Sequence, residues 1–315
     1  MKTLLEAIRH FSDQQTCIDT FARLRWDDGQ PTCPTCSGQD VLWLKNQRRW
    51  KCRAKLCKRQ FSVKVGTIFE DSPIGLDKWL LAIWLLGNCK NGVSSYEVSR
   101  DLGVTQKTAW FMLHRIRTAM RDDGLMLSGL IEMDETFVGG KVKNMHKSKR
   151  PVGTGFSGIP VGASGKTIVV GMLERNGRVR AQVVQDRTRD VLHKLANENI
   201  APGSELMTDE WHPYKGSEFR HQDINHAEAY VQGRVHTNGI ENFWSLLKRG
   251  LGGTYISVEP FHLFRYIDEQ AFRYNHRKEW SDEERTAQVL TQAAGKRLTY
   301  AQLTGKVAGP EANRV

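Results

Sequence analysis

Leu130-Ile131-Glu132-Met133-Asp134-Glu135, continuing through Thr136-Phe137-Val138, decides the fold of the second half of the chain. Side chains along a strand point alternately to opposite faces, so this run predicts a strand with Glu132 and Asp134 on one face. Residues 166–173 and 179–185 read as two further strands, 189–199 as a helix and 205–208 as a fourth strand. Helical spacing returns over 238–249 and 260–274. Strands followed by alternating helix and strand predict an α/β core with a mixed sheet. Between the first two strands, residues 139–166 are rich in Gly and Lys and read as a mobile basic loop.

Acidic residues at the ends of these elements stand out in a basic protein. Asp209 follows Leu206-Met207-Thr208, where a strand would end, and Glu241 lies early in the helix that starts near Asn238. Three carboxylates from two strand ends and a helix can hold Mg²⁺, which prefers hard oxygen ligands and keeps positions open for water and phosphate. Two such ions stabilise the attacking and leaving oxygens in phosphoryl transfer. Lys248 lies two helical turns beyond Glu241 on the same face, within reach of a phosphate beside that site. Spacing alone does not choose between Asp134 and Glu132, or between Asp209 and Glu210. Asn238 and Glu241 also match a capping box, which would occupy Glu241 without any metal. His212 and His236 read as hydrogen-bonded surface groups rather than ligands.

At 315 residues the chain is long enough for two domains, and with 39% hydrophobic and 26% charged residues it can bury a sizeable core. Lys and Arg number 46 against 35 Asp and Glu, a net charge of +11 that favours a polyanionic partner. A membrane is not that partner on this reading. The longest apolar run, residues 79–86, falls far short of a spanning helix, and Lys2, Glu6 and Arg9 interrupt the N-terminal stretch where a signal core would lie. A cytoplasmic, nucleoid-associated protein is expected.

The front of the chain carries most of the basic excess. Residues 3–26 read as a helical lead, with Leu4, Leu5, Ile8 and Phe11 at helical spacing. Cys33, Cys36, Cys52 and Cys57 then form a C-x2-C, fifteen residues, C-x4-C pattern. Two knuckles of thiolates suit structural, tetrahedral Zn²⁺, and the absence of a secretory pattern weighs against disulfides. Lys45, Arg48, Arg49, Lys51, Arg53, Lys55, Lys58 and Arg59 surround the second knuckle, interleaved with Trp43, Trp50 and Phe61. Charge for phosphates and rings for packing or stacking fit a ribbon that touches nucleic acid. Cys17 and Cys89 read as small core residues.

Residues 94–102, a turn at Gly103 and residues 105–120 have the proportions of a helix-turn-helix. In the second helix Ala109, Met112, Leu113, Ile116 and Met120 form one stripe, expected to face a core. Lys107, Trp110, His114, Arg117 and Arg121 form the opposite face, expected to meet a DNA groove. Residues 77–89, very apolar, would support them.

Together these stretches resemble the bacterial insertion-sequence transposases that carry an N-terminal zinc ribbon. The likeness rests on Leu24-Arg25-Trp26, Cys33-Pro34-Thr35-Cys36, Arg59-Gln60-Phe61-Ser62-Val63 and Gly66-Thr67-Ile68-Phe69 at the front. Behind them come Met133-Asp134-Glu135-Thr136, Thr208-Asp209 and the block His236-Thr237-Asn238-Gly239-Ile240-Glu241-Asn242-Phe243-Trp244-Ser245-Leu246-Leu247-Lys248-Arg249-Gly250. Phe272-Arg273-Tyr274-Asn275-His276-Arg277 and Arg297-Leu298-Thr299-Tyr300 extend it almost to the end. The resemblance implies an RNase H-like mixed sheet with flanking helices and a DDE triad of Asp134, Asp209 and Glu241, with Lys248 as the trailing basic residue. It implies Mg²⁺ or Mn²⁺ at that triad, terminal inverted repeats and target DNA as double-stranded substrates, and a homo-oligomer on paired ends. Some members replace the third acid by Asn; this chain keeps Glu241. The second knuckle is two residues longer than a tight C-x2-C.

The expected organisation is therefore a helical lead over 1–30, a zinc ribbon over 31–70 and a helix-turn-helix-like segment over 71–125. A DDE domain over 126–280, with its basic loop, and a tail over 281–315 complete it. Arg48, Arg49, Lys51, Lys107, His114, Arg117 and Arg249 are the expected DNA contacts. The activity expected is metal-dependent cleavage and strand transfer at element ends. Its main rival is a non-catalytic regulator derived from a transposase, and a second is a general metal-dependent nuclease. The His-x-His triplet of a rolling-circle nuclease is missing, and no arrangement singles out Tyr214 or Tyr255 as a recombinase nucleophile.

Overall fold

The computed structural model describes residues 1–26, 29–122, 124, 126–140, 146, 165–209, 219–224 and 237–308, with the backbone alone for Asp209 and 221–224. Most of the basic loop, together with His212, Tyr214 and His236, lies outside the described residues. In chain order the elements are α1 (Leu4–His10), α2 (Gln14–Arg25), β1 (Val41–Leu44), β2 (Arg49–Cys52), β3 (Gln60–Phe61), α3 (Leu76–Asn88), α4 (Ser95–Leu102) and α5 (Gln106–Met120). There follow β4 (Leu130–Val138), β5 (Thr167–Glu174), β6 (Val179–Val184), α6 (Arg189–Asn199), β7 (Glu205–Asp209) and β8 (Arg220–Ile224). Last come α7 (Asn238–Gly250), α8 (Leu263–Asn275), α9 (Asp282–Thr291) and α10 (Tyr300–Leu303). They fall into two compact units, Met1–Arg121 with His276–Gly309, and Asp122–Asn275.

The first unit holds a three-stranded antiparallel sheet, β1-β2-β3, and a group of helices. The helical lead is two helices, each started by a side-chain cap: Thr3 accepts from the N–H of Glu6, and Asp13 from that of Thr16. A capping box between Ser94 and Glu97 opens α4, and Gly103 closes it at φ 58°, the left-handed conformation that suits glycine at a helix end. Thr105 then caps α5.

Residues 281–315, expected as a tail, supply α9 to this helical group, where it packs on α2, α3 and α5. The N–H of Ile68 donates to the carbonyl of Ala293 and that of Gly295 to the carbonyl of Gly66. Arg285 and Asn88 join α9 to α3, with Nε donating to Oδ1 at 2.8 Å. These partners lie about 200 residues apart in the chain, which is why local patterning did not reveal them.

The second unit is built on a five-stranded mixed sheet in the order β6-β5-β4-β7-β8. β5 runs antiparallel to both β4 and β6, while β4, β7 and β8 run parallel. Ile131 and Met133 of β4 pack with Val170, Met172 and Leu206 against Leu192, Leu195 and Ala196 of α6. On the other face Val169, Leu173 and Ala181 pack against Ile240, Phe243, Trp244 and Leu247 of α7 and Leu263 and Ile267 of α8. The alternation read in β4 is therefore real: its apolar residues meet α6, and Glu132 and Asp134 turn toward α7. The parallel strand β8 was not foreseen, since Arg220-His221-Gln222-Asp223-Ile224 has no apolar periodicity to announce it.

Candidate functional site

The candidate site of the second unit forms where β4, β7 and α7 converge. Parallel pairing sets Leu130 against Glu205, Ile131 against Leu206 and Glu132 against Met207. The paired register ends at Glu132 and Met207, and Asp134 and Asp209 each follow two residues further along their strands. Asp134 Oδ1 accepts from the N–H of Glu135 at 2.7 Å, and Oδ2 from the indole Nε1 of Trp244 at 2.9 Å. The second bond ties the strand to α7, and Glu241 lies three residues before Trp244, one turn nearer the helix start. Glu241 is exposed, as are Lys248 and Arg249 further along the helix.

Close approach of helix and sheet depends on two glycines. Gly171 pairs with Asp134 across β4 and β5, and a Cβ there would come within 2.6 Å of the Trp244 ring. At Gly239 a Cβ would lie 2.5 Å from Leu173 Cδ2 and 2.7 Å from Glu132 Oε2. Neither glycine is in the left-handed region; both are required by space alone.

Of the residues that spacing left as alternatives, Glu132 and Asp134 have different surroundings. Glu132 is 1% exposed, and its Oε2 accepts the N–H groups of Gly239 and Ile240 at 2.8 and 3.0 Å. Its Oε1 accepts from Arg175 Nε and Nη2 at 3.2 and 3.1 Å. The helix start is thus capped from β4, and Thr237 at the N-cap makes no side-chain cap of its own. The capping-box alternative for Glu241 is not realised: Asn238 is the first helical residue, and the Thr237 hydroxyl meets Glu241 Oε1 at 3.4 Å. Sequence reasoning did not find Arg175, Trp244 or Gly171. Only Trp244, one turn from Glu241, left a local signal.

Asp134 and Glu241 offer carboxylate oxygens where a strand and a helix meet, and the backbone of Asp209 ends the adjoining strand.

In the first unit, the four cysteine ligand atoms all lie within 4.8 Å of one another. Cys33 and Cys57 sulfurs are 3.7 Å apart, and those of Cys36 and Cys52 3.5 Å. A tetrahedron of thiolates around Zn²⁺ at about 2.3 Å requires sulfurs about 3.8 Å apart, so the cluster fits zinc. Burial disfavours the Cys33 thiolate, yet the N–H groups of Thr35 and Cys36 outweigh it and bring the thiol down to about 7. By contrast Cys17 is buried with its Sγ against the carbonyl of Phe11, and burial pushes its thiol up to about 12, as suits an inert core residue.

Strand β2 sorts the residues around the second knuckle. Arg49 and Lys51 are exposed, while Trp50 and Cys52 are buried. Trp50 packs edge-on to Trp26 with ring centres 5.3 Å apart, and stacks on Phe61 at 6.0 Å. The rings therefore build the ribbon's interior, and the basic residues Lys45 to Arg59 form its outside.

The expected groove-reading face of α5 requires a correction. Its apolar stripe is buried as expected, but His114 and Arg117 are buried too, at 0% and 1% exposure. From Met112 to Met120 every residue is buried, because α3, α4, α9 and α10 all pack on this helix. Lys107, at the helix start, stays exposed, with its Nζ 4.9 Å from the ring of Tyr300. Tyr255, set aside as a nucleophile, donates its hydroxyl to Glu269, which also pairs with Arg273.

Comparison with known proteins agrees with this division of the chain. Residues 126–275 match the ISXO2-like transposase domain, and residues 12–60 the transposase zinc-ribbon domain. An uncharacterized protein in transposable element ISH50 of Halobacterium salinarum is 26% identical over 259 residues, 78% of this chain and 85% of that one. An uncharacterized transposase-like protein of Haemophilus influenzae is 30% identical over 102 residues, 31% of this chain and 82% of that one. Among solved structures, the simian T-cell lymphotropic virus intasome in complex with PP2A regulatory subunit B56 gamma aligns with 59% of this chain at 16% identity. The alignment spans 64% of the matched chain, and a TM-score of 0.27 lends the fold no support. Among the described residues no helix is long and apolar enough to cross a membrane.

Proposed function

Since the chain belongs to the insertion-sequence transposases with an N-terminal zinc ribbon, we propose that it binds the terminal inverted repeats of its element and catalyses metal-dependent strand cleavage and strand transfer. The observation that carries this reading is the hydrogen bond from the Trp244 indole of α7 to Asp134 of β4, one helical turn from Glu241. The mixed sheet, with β4 between an antiparallel pair and two parallel strands, supports an RNase H-like core.

Asp134, Asp209 and Glu241 hold Mg²⁺ or Mn²⁺ on this reading. When bound, the metal stabilises the attacking and leaving oxygens of an in-line displacement at phosphorus. Asp134 is oriented by the Trp244 indole, and Lys248 neutralises a phosphate further along α7. The zinc-ribbon exterior, including Arg48, Arg49 and Lys51, contacts the DNA backbone, with Lys107 and Arg249 as further phosphate partners. Paired ends require at least two protomers. The exposed face of α7, with Glu241, Lys248 and Arg249, suits a duplex substrate, which cannot enter an enclosed cavity.

Labelled DNA carrying the element's own ends tests this with Mg²⁺, comparing wild type with Asp209→Ala. Nicking or joining at the terminus by wild type, and equal binding without cutting by the variant, is the expected result. Binding by both with cutting by neither refutes catalysis and favours the regulator. Cutting without preference for the terminus favours a general nuclease.

A further inference from the structure

Buried Glu132 and its half-buried partner Arg175 together reach every element that carries one of the three acids, at the residue two before the acid. Glu132 itself precedes Asp134 on β4. Arg175 Nη2 approaches Sδ of Met207, two residues before Asp209 on β7, at 3.2 Å. Glu132 Oε2 accepts from the N–H of Gly239, two residues before Glu241 on α7, and from that of Ile240. The backbone N–H of Arg175 also donates to the carbonyl of Leu130 at 2.9 Å, which fixes the pair at the start of β4.

We propose that Glu132 and Arg175 are positioning residues that set the mutual spacing of Asp134, Asp209 and Glu241. The proposal rests on the reading of those three as the metal-binding set. A carboxylate this deeply buried must be matched by donors, and four N–H groups converge on it: two from the helix start and two from one guanidinium. Its negative charge faces the positive end of α7, so the same contact that satisfies the charge also seats the helix. Gly239 admits the carboxylate, since any Cβ there would push it away. Because α7 has no side-chain cap of its own, its first turn takes its position from β4. Glu132 is therefore assigned to geometry, and metal ligation is left to the acids beyond it.

The geometry predicts how substitutions act. In Glu132→Gln the amide NH₂ would have to face either the helix N–H groups or the guanidinium, donor against donor. Arg175→Lys keeps the charge but loses the two-pronged contact and the reach to Met207. Partners that orient metal ligands typically change metal affinity by about 10–100-fold when removed. The test uses the full-length, zinc-loaded protein. Mn²⁺ affinity is measured by electron paramagnetic resonance of the free ion, with zinc content and far-ultraviolet circular dichroism as controls for folding. Both variants are expected to stay folded, keep their zinc and bind Mn²⁺ at least about tenfold more weakly. The double variant should be no weaker than the worse single one, because the two residues act as one unit.

Wild-type Mn²⁺ affinity in either folded variant overturns the proposal. So does loss of binding in Glu132→Gln alone with Arg175→Lys unaffected, which would make Glu132 a ligand. If Glu132→Gln does not fold, Arg175→Lys decides on the same readout. Failure of the underlying reading looks different: wild type and Asp134→Asn would then bind Mn²⁺ equally, or wild type not at all.

Discussion

Gly171→Ala is the smallest change that would lift α7 off the sheet. The new Cβ would lie 2.6 Å from Cζ2 and Cη2 of Trp244 and 2.8 Å from Cδ1 of Ile240. Carbon atoms pack at about 3.5 Å or beyond, so the ring or the strand must give by roughly 0.9 Å. Overpacking of this kind costs about 1–3 kcal/mol. Alanine restricts the unfolded chain more than glycine does, which returns about 0.4–1 kcal/mol. The net loss is then about 1–2 kcal/mol, which in a unit of this size lowers Tm by roughly 2–8 °C. Calorimetry of the zinc-loaded protein measures it on the transition of the second unit. Trp244→Phe removes the clashing ring atoms, so in that background Gly171→Ala should cost less, with a coupling of about 1 kcal/mol. A Tm at or above that of wild type for Gly171→Ala would refute the claim that helix and sheet are in tight contact here.

Two further outcomes concern the first unit. Cys52→Ser should abolish the one equivalent of zinc per chain and unfold the ribbon, since binding of structural zinc supplies about 10–16 kcal/mol in small zinc modules. Elemental analysis showing an equimolar metal in the variant would contradict the four-thiolate site. Arg49→Ala with Lys51→Ala should weaken binding to DNA of any sequence and flatten the salt dependence by about two in the slope of log K against log salt. An unchanged slope, measured by fluorescence anisotropy across salt concentrations, would remove β2 from the DNA interface.

The sequence by itself determined many of the local elements and the cysteine cluster that fits zinc. Alternation placed β4 at Leu130–Val138, helical periodicity placed α6 at Arg189–Asn199, and both are signals carried by neighbours in the chain. Cysteine spacing marked the thiolate cluster for the same reason, since each knuckle is a tight turn. From residues alone the acids could be nominated but not ranked: Glu132 and Asp134 share one strand face and one chemistry. Tertiary structure separated them, because α7, more than 100 residues later, sets its helix start on Glu132 and the side chain of Trp244 on Asp134. The same cause buried His114 and Arg117, which helical spacing had turned outward, and recruited α9 to the front of the chain. Periodicity reports which residues share a face. What covers that face is decided by segments distant in sequence, and here they decided which polar groups stay at the surface.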